Sequence, residues 1–297
     1  MKPQSHVTLG LFLYRRGALK VFLVIDPKAA MLPEIPAHSP DLAFALELAD
    51  LADSISLPRF RSADLRIDTK PDRTFVTDAD IAVEHALRER IEAARPGDGF
   101  FGEESGTAEG GERRWILDPI DGTSNFLRGV PNWGTLIALE VSGELTIGVV
   151  SAPAFGARWY AEIGQGAWRE DHDQTPRRLQ VSGVRELADA SLSFQSIEQW
   201  REAGYLDSLL ALERSVWRDR AYGDMWSYML LAEGLVDIVA EFDVKPYDLA
   251  ALAPIVREAG GTFTDIDGNE SAWNGSSLAT NGPLHEATIA TIQQARS

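Results

Sequence analysis

The stretch Trp115-Ile116-Leu117-Asp118-Pro119-Ile120-Asp121-Gly122-Thr123 runs three apolar residues into two aspartates three positions apart. Trp-Ile-Leu is β-prone and reads as the end of a buried strand. Pro119 lacks the N–H that a ladder needs, so pairing should stop there, and Gly122 permits backbone angles closed to other residues. Thr123 is placed to cap a following helix. The two carboxylates therefore fall at a strand-to-helix junction, which suits a cation and, against the helix N-terminus, a phosphate. The spacing lets both side chains turn to one side of a tight turn, with the Ile120 carbonyl between them as a third oxygen.

Working outward, the 297 residues are 44% apolar and 25% charged, the balance of a globular chain with a large core in one or two domains. A net charge of -17 argues against duplex DNA or an anionic membrane as partner. It leaves room for a small anionic substrate, because bound divalent ions reverse the local field. With no cysteine, disulfides, thiolate zinc sites and cysteine nucleophiles are excluded, and a reducing cytoplasm is the plain expectation. No apolar run is long enough for a transmembrane helix. Residues 1–30 hold two short apolar runs split by Arg15 and Arg16, read as two short strands or as an extension outside the main fold. A start at Met31 would leave the rest intact.

The pattern predicts a first helix from Ser39-Pro40-Asp41, with Ser39 as its cap. A second is predicted over 78–94, with Ile81, Ala82, His85, Ala86, Leu87 and Ile91 on its inner side. Strands are predicted over 99–102, 115–117, 135–141, 145–151 and 158–163, with a hairpin turn at Val141-Ser142-Gly143-Glu144. After about Pro176 the grain changes. Helices are expected over 197–213, 224–233, 246–259 and 283–294, and strands over 215–218, 236–240, 261–265 and 277–281. Hairpins first and alternating strands and helices later indicate a mixed, layered α/β architecture in two halves, without repeats.

Four short pieces carry acids at the ends of elements: Thr77-Asp78-Ala79-Asp80, Gly102-Glu103-Glu104-Ser105, Asp118 through Thr123, and Tyr247-Asp248-Leu249. Oxygen ligands of this kind suit Mg²⁺ or Mn²⁺. Taken one at a time they also have plain structural readings. Asp248 complements a helix dipole, Thr77 and Asp80 cap a helix, and Gly-Glu-Glu is a solvated loop. The Asp118 segment is harder to dismiss, since a structural turn rarely needs two acids beside a buried strand.

The ordered set Gly-Glu-Glu-Ser at 102–105, WILDPIDGT followed by Asn125 and Phe126, and Tyr-Asp-Leu-Ala-Ala-Leu at 247–252 with Glu-Ala-Gly-Gly at 258–261 resembles the signature of the inositol monophosphatase family of metal-dependent phosphomonoesterases. The resemblance covers about residues 40–295. It implies an αβαβα sandwich of the inositol monophosphatase/fructose-1,6-bisphosphatase type. Residues 1–38 would be an extension and 39–297 the catalytic domain, with metal motifs in 39–176 and the last metal aspartate in 177–297. By motif position it implies Glu103, Asp118, the Ile120 carbonyl, Asp121 and Asp248 as ligands of two or three Mg²⁺ ions, with Mn²⁺ possible in their place. Asp80 and Thr123 would position the attacking water with Glu104 in support, and Lys70 would lie near the same pocket. The Gly122 and Thr123 N–H groups would hold phosphate. A homodimer is implied as well.

Converging carboxylates repel unless cations neutralise them. Two metals clamp a phosphate and activate water, so no covalent phospho-enzyme is needed. On the substrate side, Asp224 stands where inositol phosphatases carry a small neutral or hydroxyl residue, and Glu241 matches a family glutamate that touches substrate. The alternative for Asp224 is a helix cap. Together with RGVPNWGTLIAL at 128–139 and RAYGDMWSY at 220–228, these residues are most similar to the histidinol-phosphate phosphatases of this family found in actinobacteria. Acids near an ammonium and an imidazole make sense, and Trp133 or Trp226 is placed to stack on the ring or to fill the core. The alternatives are an inositol-1-phosphatase and, from a different class, a non-catalytic metal-binding scaffold, which loss of Asp80, Glu103 or Asp248 would favour.

Overall fold

Caps start the first two helices where the sequence places them. In the computed structural model, which describes residues 36–70, 74–172 and 174–296, the Ser39 hydroxyl accepts the Leu42 N–H at 3.1 Å and opens α1 (Pro40–Arg59). A short hairpin of β1 (Ile67–Thr69) and β2 (Phe75–Thr77) leads into α2 (Asp78–Ala94). Thr77 and Asp80 close a reciprocal capping box at its start. The extension expected over residues 1–30 lies outside the described residues.

The chain then builds β3 (Gly99–Gly102), β4 (Gly106–Ala108), β5 (Arg113–Asp121), the short helix α3 (Thr123–Arg128), β6 (Gly134–Val141), β7 (Glu144–Ala152), β8 (Ala157–Glu162), β9 (Gly166–Asp171) and β10 (Arg177–Arg178). These strands form one sheet in the order β10-β9-β8-β7-β6-β5-β3-β4, with β3 and β5 parallel and the other pairs antiparallel. A second sheet follows from β11 (Ser191–Ser193), α4 (Ile197–Glu202), α5 (Leu206–Ser215), β12 (Arg218–Arg220), α6 (Asp224–Ala232), β13 (Ile238–Phe242), α7 (Pro246–Leu249), α8 (Leu252–Glu258), β14 (Thr262–Thr264), β15 (Ser276–Thr280) and α9 (His285–Gln294). Its order is β12-β11-β13-β15-β14.

Strand alternation sorts the side chains into layers. Ile137 and Leu139 of β6 and Ile147 and Val149 of β7 pack with Leu48 of α1 and Leu87 of α2. Their neighbours Leu136, Ala138 and Val150 face the other way, into a cluster with Met229 of α6 and Val256 of α8 that also takes Val239 and Phe263 from the second sheet. The far side of that sheet packs Ile238, Ala240 and Leu278 against Leu209 of α5 and Ile292 of α9. The layers run α-β-α-β-α, as the resemblance implies. Each fully buried aliphatic side chain contributes about 1.5–3 kcal/mol to holding them together.

Several local expectations change. Pro119 does not end its strand: β5 continues to Asp121, with a register shift between Asp118 and Asp121. The helix predicted over 197–213 breaks at Gly204, whose φ of 79° no helix interior accommodates, and the strand predicted over 215–218 forms at Arg218–Arg220. The helix predicted over 246–259 divides into α7 and α8. The inner face of α2 is also rotated from expectation. Ile81 is 52% exposed and Ala82 and His85 face solvent, while Asp80, Val83, Glu84, Leu87 and Ile91 are buried. A hydropathy pattern places acids outward, and here two of them point in.

Gly148 of β7 brings the two halves into backbone contact, because a Cβ there would collide with the Ala251 carbonyl at the α7–α8 junction. Gly148→Ala should therefore overpack the layer that carries Asp248, at a cost of about 1–3 kcal/mol. At about 2–4 °C per kcal/mol for a chain of this size, a thermal melt should show Tm falling by about 2–12 °C.

Candidate active site

The register shift in β5 decides where its acids point. Asp118 lies opposite Leu136 and Asp121 opposite Gly134, so three steps on β5 match two on β6. In a regular strand, residues three apart face opposite sides; the extra residue turns Asp118 and Asp121 to the same side. The Thr135 hydroxyl satisfies the bulged Pro119 carbonyl at 2.9 Å. Asp248, from α7, joins them, and one oxygen of each of the three lies within 4.8 Å of the others. Each carboxylate also accepts one backbone N–H: Asp118 from Ile120 (3.0 Å), Asp121 from Met225 at the start of α6 (2.6 Å), and Asp248 from Lys245 (2.7 Å).

Burial raises the pKa of all three, and mutual repulsion adds to it. Asp118 also feels Glu103, Asp121 feels Asp224, and Asp248 is pushed to about 7. Among the described residues no lysine, arginine or histidine forms an ion pair with them. An all-oxygen group with no cationic side chain in contact fits a hard divalent cation.

Beside this group, Asp80 accepts the Thr77 N–H (2.8 Å) and hydroxyl (2.5 Å) on one oxygen and the Thr123 hydroxyl (3.3 Å) on the other. The capping reading and the site reading are therefore both true of Asp80. Thr123 is not the cap of α3. That position belongs to Gly122, at φ 83°, and the Thr123 hydroxyl also reaches the Ile120 carbonyl at 3.0 Å. Burial raises Asp80 to about 6 and Glu104 to about 7. Glu103 stands outside the three-acid group and meets Lys70 Nζ at 2.7 Å, as does Glu104. Burial disfavours the Lys70 ammonium, but its bonds to these two carboxylates outweigh that and hold its pKa above the usual lysine value.

A cavity of about 160 Å³ adjoins Asp121 and Asp248. Asp224 and Glu241 both line it, together with Gln195, Gln199, Tyr228 and Asp243. Asp224 sits at φ 50°, a left-handed backbone that Asp tolerates better than most residues, one position after the cap Gly223. Its oxygens accept from Asn125 Nδ2 (2.7 Å) and Gln195 Nε2 (2.9 Å), and its N–H donates to Gln195 Oε1 (2.7 Å). Burial raises its pKa against those bonds. Glu241 accepts from the Tyr228 hydroxyl at 2.9 Å, its other oxygen has no partner among the described residues, and burial raises it to about 8. Neither tryptophan is placed to stack on a ligand. Trp133 is buried with Phe60 and Phe126, and Trp226 packs on Phe155 and Trp159; neither lines the cavity.

The structure thus gathers Asp118, Asp121 and Asp248 directly, with Asp80, Thr123, Glu103, Glu104 and Lys70 around them. Sequence reasoning missed Glu84, Asn125, Gln195 and Tyr228. Asn125 and Tyr228 stood inside the quoted motifs without a role, and Glu84 had a signal of its own: it is one helical turn after Asp80, an acid in phase with Val83 and Leu87.

Layered sheets and a carboxylate cluster at a strand bulge define a class. The chain belongs to the inositol monophosphatase family, whose model matches residues 37–297. Among curated proteins it is 52% identical over 253 residues to a histidinol-phosphatase of Mycobacterium tuberculosis, covering 85% of this chain and 97% of the relative. It is 47% identical over 264 residues to a histidinol-phosphatase of Streptomyces coelicolor, covering 88% and 99%. Among solved structures, the extragenic suppressor protein suhB of Bartonella henselae superposes with a TM-score of 0.79 at 29% identity, over 86% of this chain and 99% of that one.

Raised carboxyl pKa values mean that the ion-free folded protein holds protons that the unfolded chain releases from about pH 4 upward. Its stability contribution from these groups is present at low pH and is lost as pH rises through about 6–7. A divalent ion competes with those protons. In EDTA, Tm should fall between pH 5 and pH 8, values about a unit either side of that window, and Mg²⁺ should raise Tm more at pH 8 than at pH 6. Scanning fluorimetry checks both, and a Mg²⁺ effect independent of pH would contradict them.

Proposed function

We propose that the protein hydrolyses L-histidinol phosphate to L-histidinol and phosphate with Mg²⁺, Mn²⁺ serving as an alternative. The observation that carries this reading is the cavity beside the three-acid group. Asp224, Glu241 and Asp243 line it, and no lysine or arginine does. Lys245 meets Asp243 from outside, at 2.7 Å. A leaving group with an ammonium and an imidazole complements such a wall, whereas a second phosphate would be repelled. The family and its histidinol-phosphatase relatives support the same substrate.

In this reading Asp118, Asp121 and Asp248, with Glu103 and the Ile120 carbonyl, hold two or three ions. When bound, the ions supply charge stabilisation for the phosphate and lower the pKa of water. The Gly122 and Thr123 N–H groups, at the start of α3 where no intrahelical acceptor exists, hold a phosphate oxygen. Thr123 Oγ accepts from the attacking water and donates to Asp80, which takes up the proton released. Glu104 and Lys70 brace the turn that carries Glu103. The absence of cysteine agrees with a reducing cytoplasm.

Phosphate release from histidinol phosphate, inositol-1-phosphate and fructose-1,6-bisphosphate, with Mg²⁺ and with EDTA, tests the assignment. Charge-assisted contacts of about 1.5–3 kcal/mol make Asp224→Asn or Glu241→Gln cost about 10- to 150-fold in kcat/KM on histidinol phosphate and little on glycerol phosphate. Equal losses on both esters would favour the inositol-1-phosphatase reading. Family resemblance also supports a homodimer, and light scattering that returned the single-chain 32.6 kDa at micromolar concentration would reject it.

A further inference from the structure

Glu84 is 1% exposed, and among the described residues it forms no ion pair. Its carboxylate instead accepts two backbone N–H groups across the fold, from Glu104 at 2.8 Å and from Ser105 at 2.5 Å. These belong to the turn between β3 and β4, the turn that presents Glu103. A buried carboxylate without a cation is costly unless fixed donors replace its water, and here both donors come from one turn. Gly102, at the base of the turn, leaves just enough room: a Cβ there would stand 2.5 Å from Glu84 Oε2. Glu84 also lies one helical turn beyond Asp80, so a single face of α2 meets Thr123 with one acid and the Glu103 turn with the next.

We propose that Glu84 is a positioning residue for divalent-ion binding: by gripping the Glu104 and Ser105 N–H groups it fixes the turn that aims Glu103 at the three-acid group. The proposal rests on the metal reading above. A glutamine at position 84 keeps the size but offers one acceptor oxygen, and its amide NH₂ would face a backbone donor. One N–H then loses its partner and the turn loosens, with no change to any group that touches ion or substrate.

The test is Mn²⁺ titration, followed by electron paramagnetic resonance of the free ion, on the full chain as wild type, Glu84→Gln and Gly102→Ala. Glu84→Gln removes half of the grip, and Gly102→Ala crowds the carboxylate from the other side while leaving its charge. Each folded variant should bind its weakest Mn²⁺ about tenfold less tightly, with the Mg²⁺ concentration for half-maximal rate rising by a similar factor. KM for the phosphate ester should stay near wild type, and kcat at saturating Mg²⁺ should stay within about threefold. A merely structural role would lower Tm in EDTA and leave Mn²⁺ affinity unchanged; wild-type affinity in a folded variant therefore overturns the role of Glu84. Wild-type protein that binds no Mn²⁺ would overturn the metal reading and this inference together. Should Glu84→Gln fail to fold, Gly102→Ala carries the comparison.

Discussion

One extra residue in β5 brings two carboxylates to the same side of a sheet, Asp118 buried and Asp121 at the edge of a cavity. Without it, Asp118 and Asp121 would point to opposite layers, and the protein would have two ordinary strand-end acids. With it, their charges add to that of Asp248, and the rest of the site is arranged to tolerate the result. Backbone N–H groups from three separate elements end on the three carboxylates. Such bonds offset only part of the desolvation and none of the mutual repulsion, which is why a cation or protons must complete the group.

The surrounding layers serve this one corner. Helix α2 lies on the outer face of the larger sheet and delivers Asp80 and Glu84 from consecutive turns. Helix α6, between the sheets, delivers the Met225 N–H to Asp121 and the Asp224 carboxylate to the cavity. The side chains that clamp Asp224 come from either half: Asn125 from α3, just after the β5 bulge, and Gln195 from the loop after β11. The acidic wall of the cavity is thus tied to the three-acid corner by hydrogen bonds through Asp224, which hold that carboxylate in place.

Charge separates the two functions of the site. Around Glu103 and Glu104 a cation of the protein's own, Lys70, is present within hydrogen-bond distance. No lysine or arginine lines the cavity, and Lys245, exposed beside it, forms its ion pair with Asp243. The first region is balanced by the chain; the second carries an excess of carboxylates.

Much of this was legible in the amino-acid order. Caps, turn glycines and apolar periodicity act over a few residues, so the starts of α1 and α2, the Ser142-Gly143 turn and the hairpin strands on both sides of it follow from sequence alone. Spacing singled out Asp118 and Asp121, and the family resemblance of the ordered motifs added Asp248. The sequence could not supply the features that depend on what lies across a sheet. The β5 bulge exists because of its partner β6; from β5 alone Pro119 looks like a stop. The inward face of α2 is set by donors on Thr123 and on the Glu104 turn, which hydropathy cannot see, and β9 forms because β8 offers it an edge. Tryptophans that fit a ligand-stacking idea are claimed by neighbouring rings in the core. Local preferences set the starts of α1 and α2 and the central hairpin strands, whereas strand edges, helix breaks and side-chain direction, and with it the chemistry of Glu84, Gln195 and Tyr228, were decided only when distant segments supplied the donors and acceptors that burial requires.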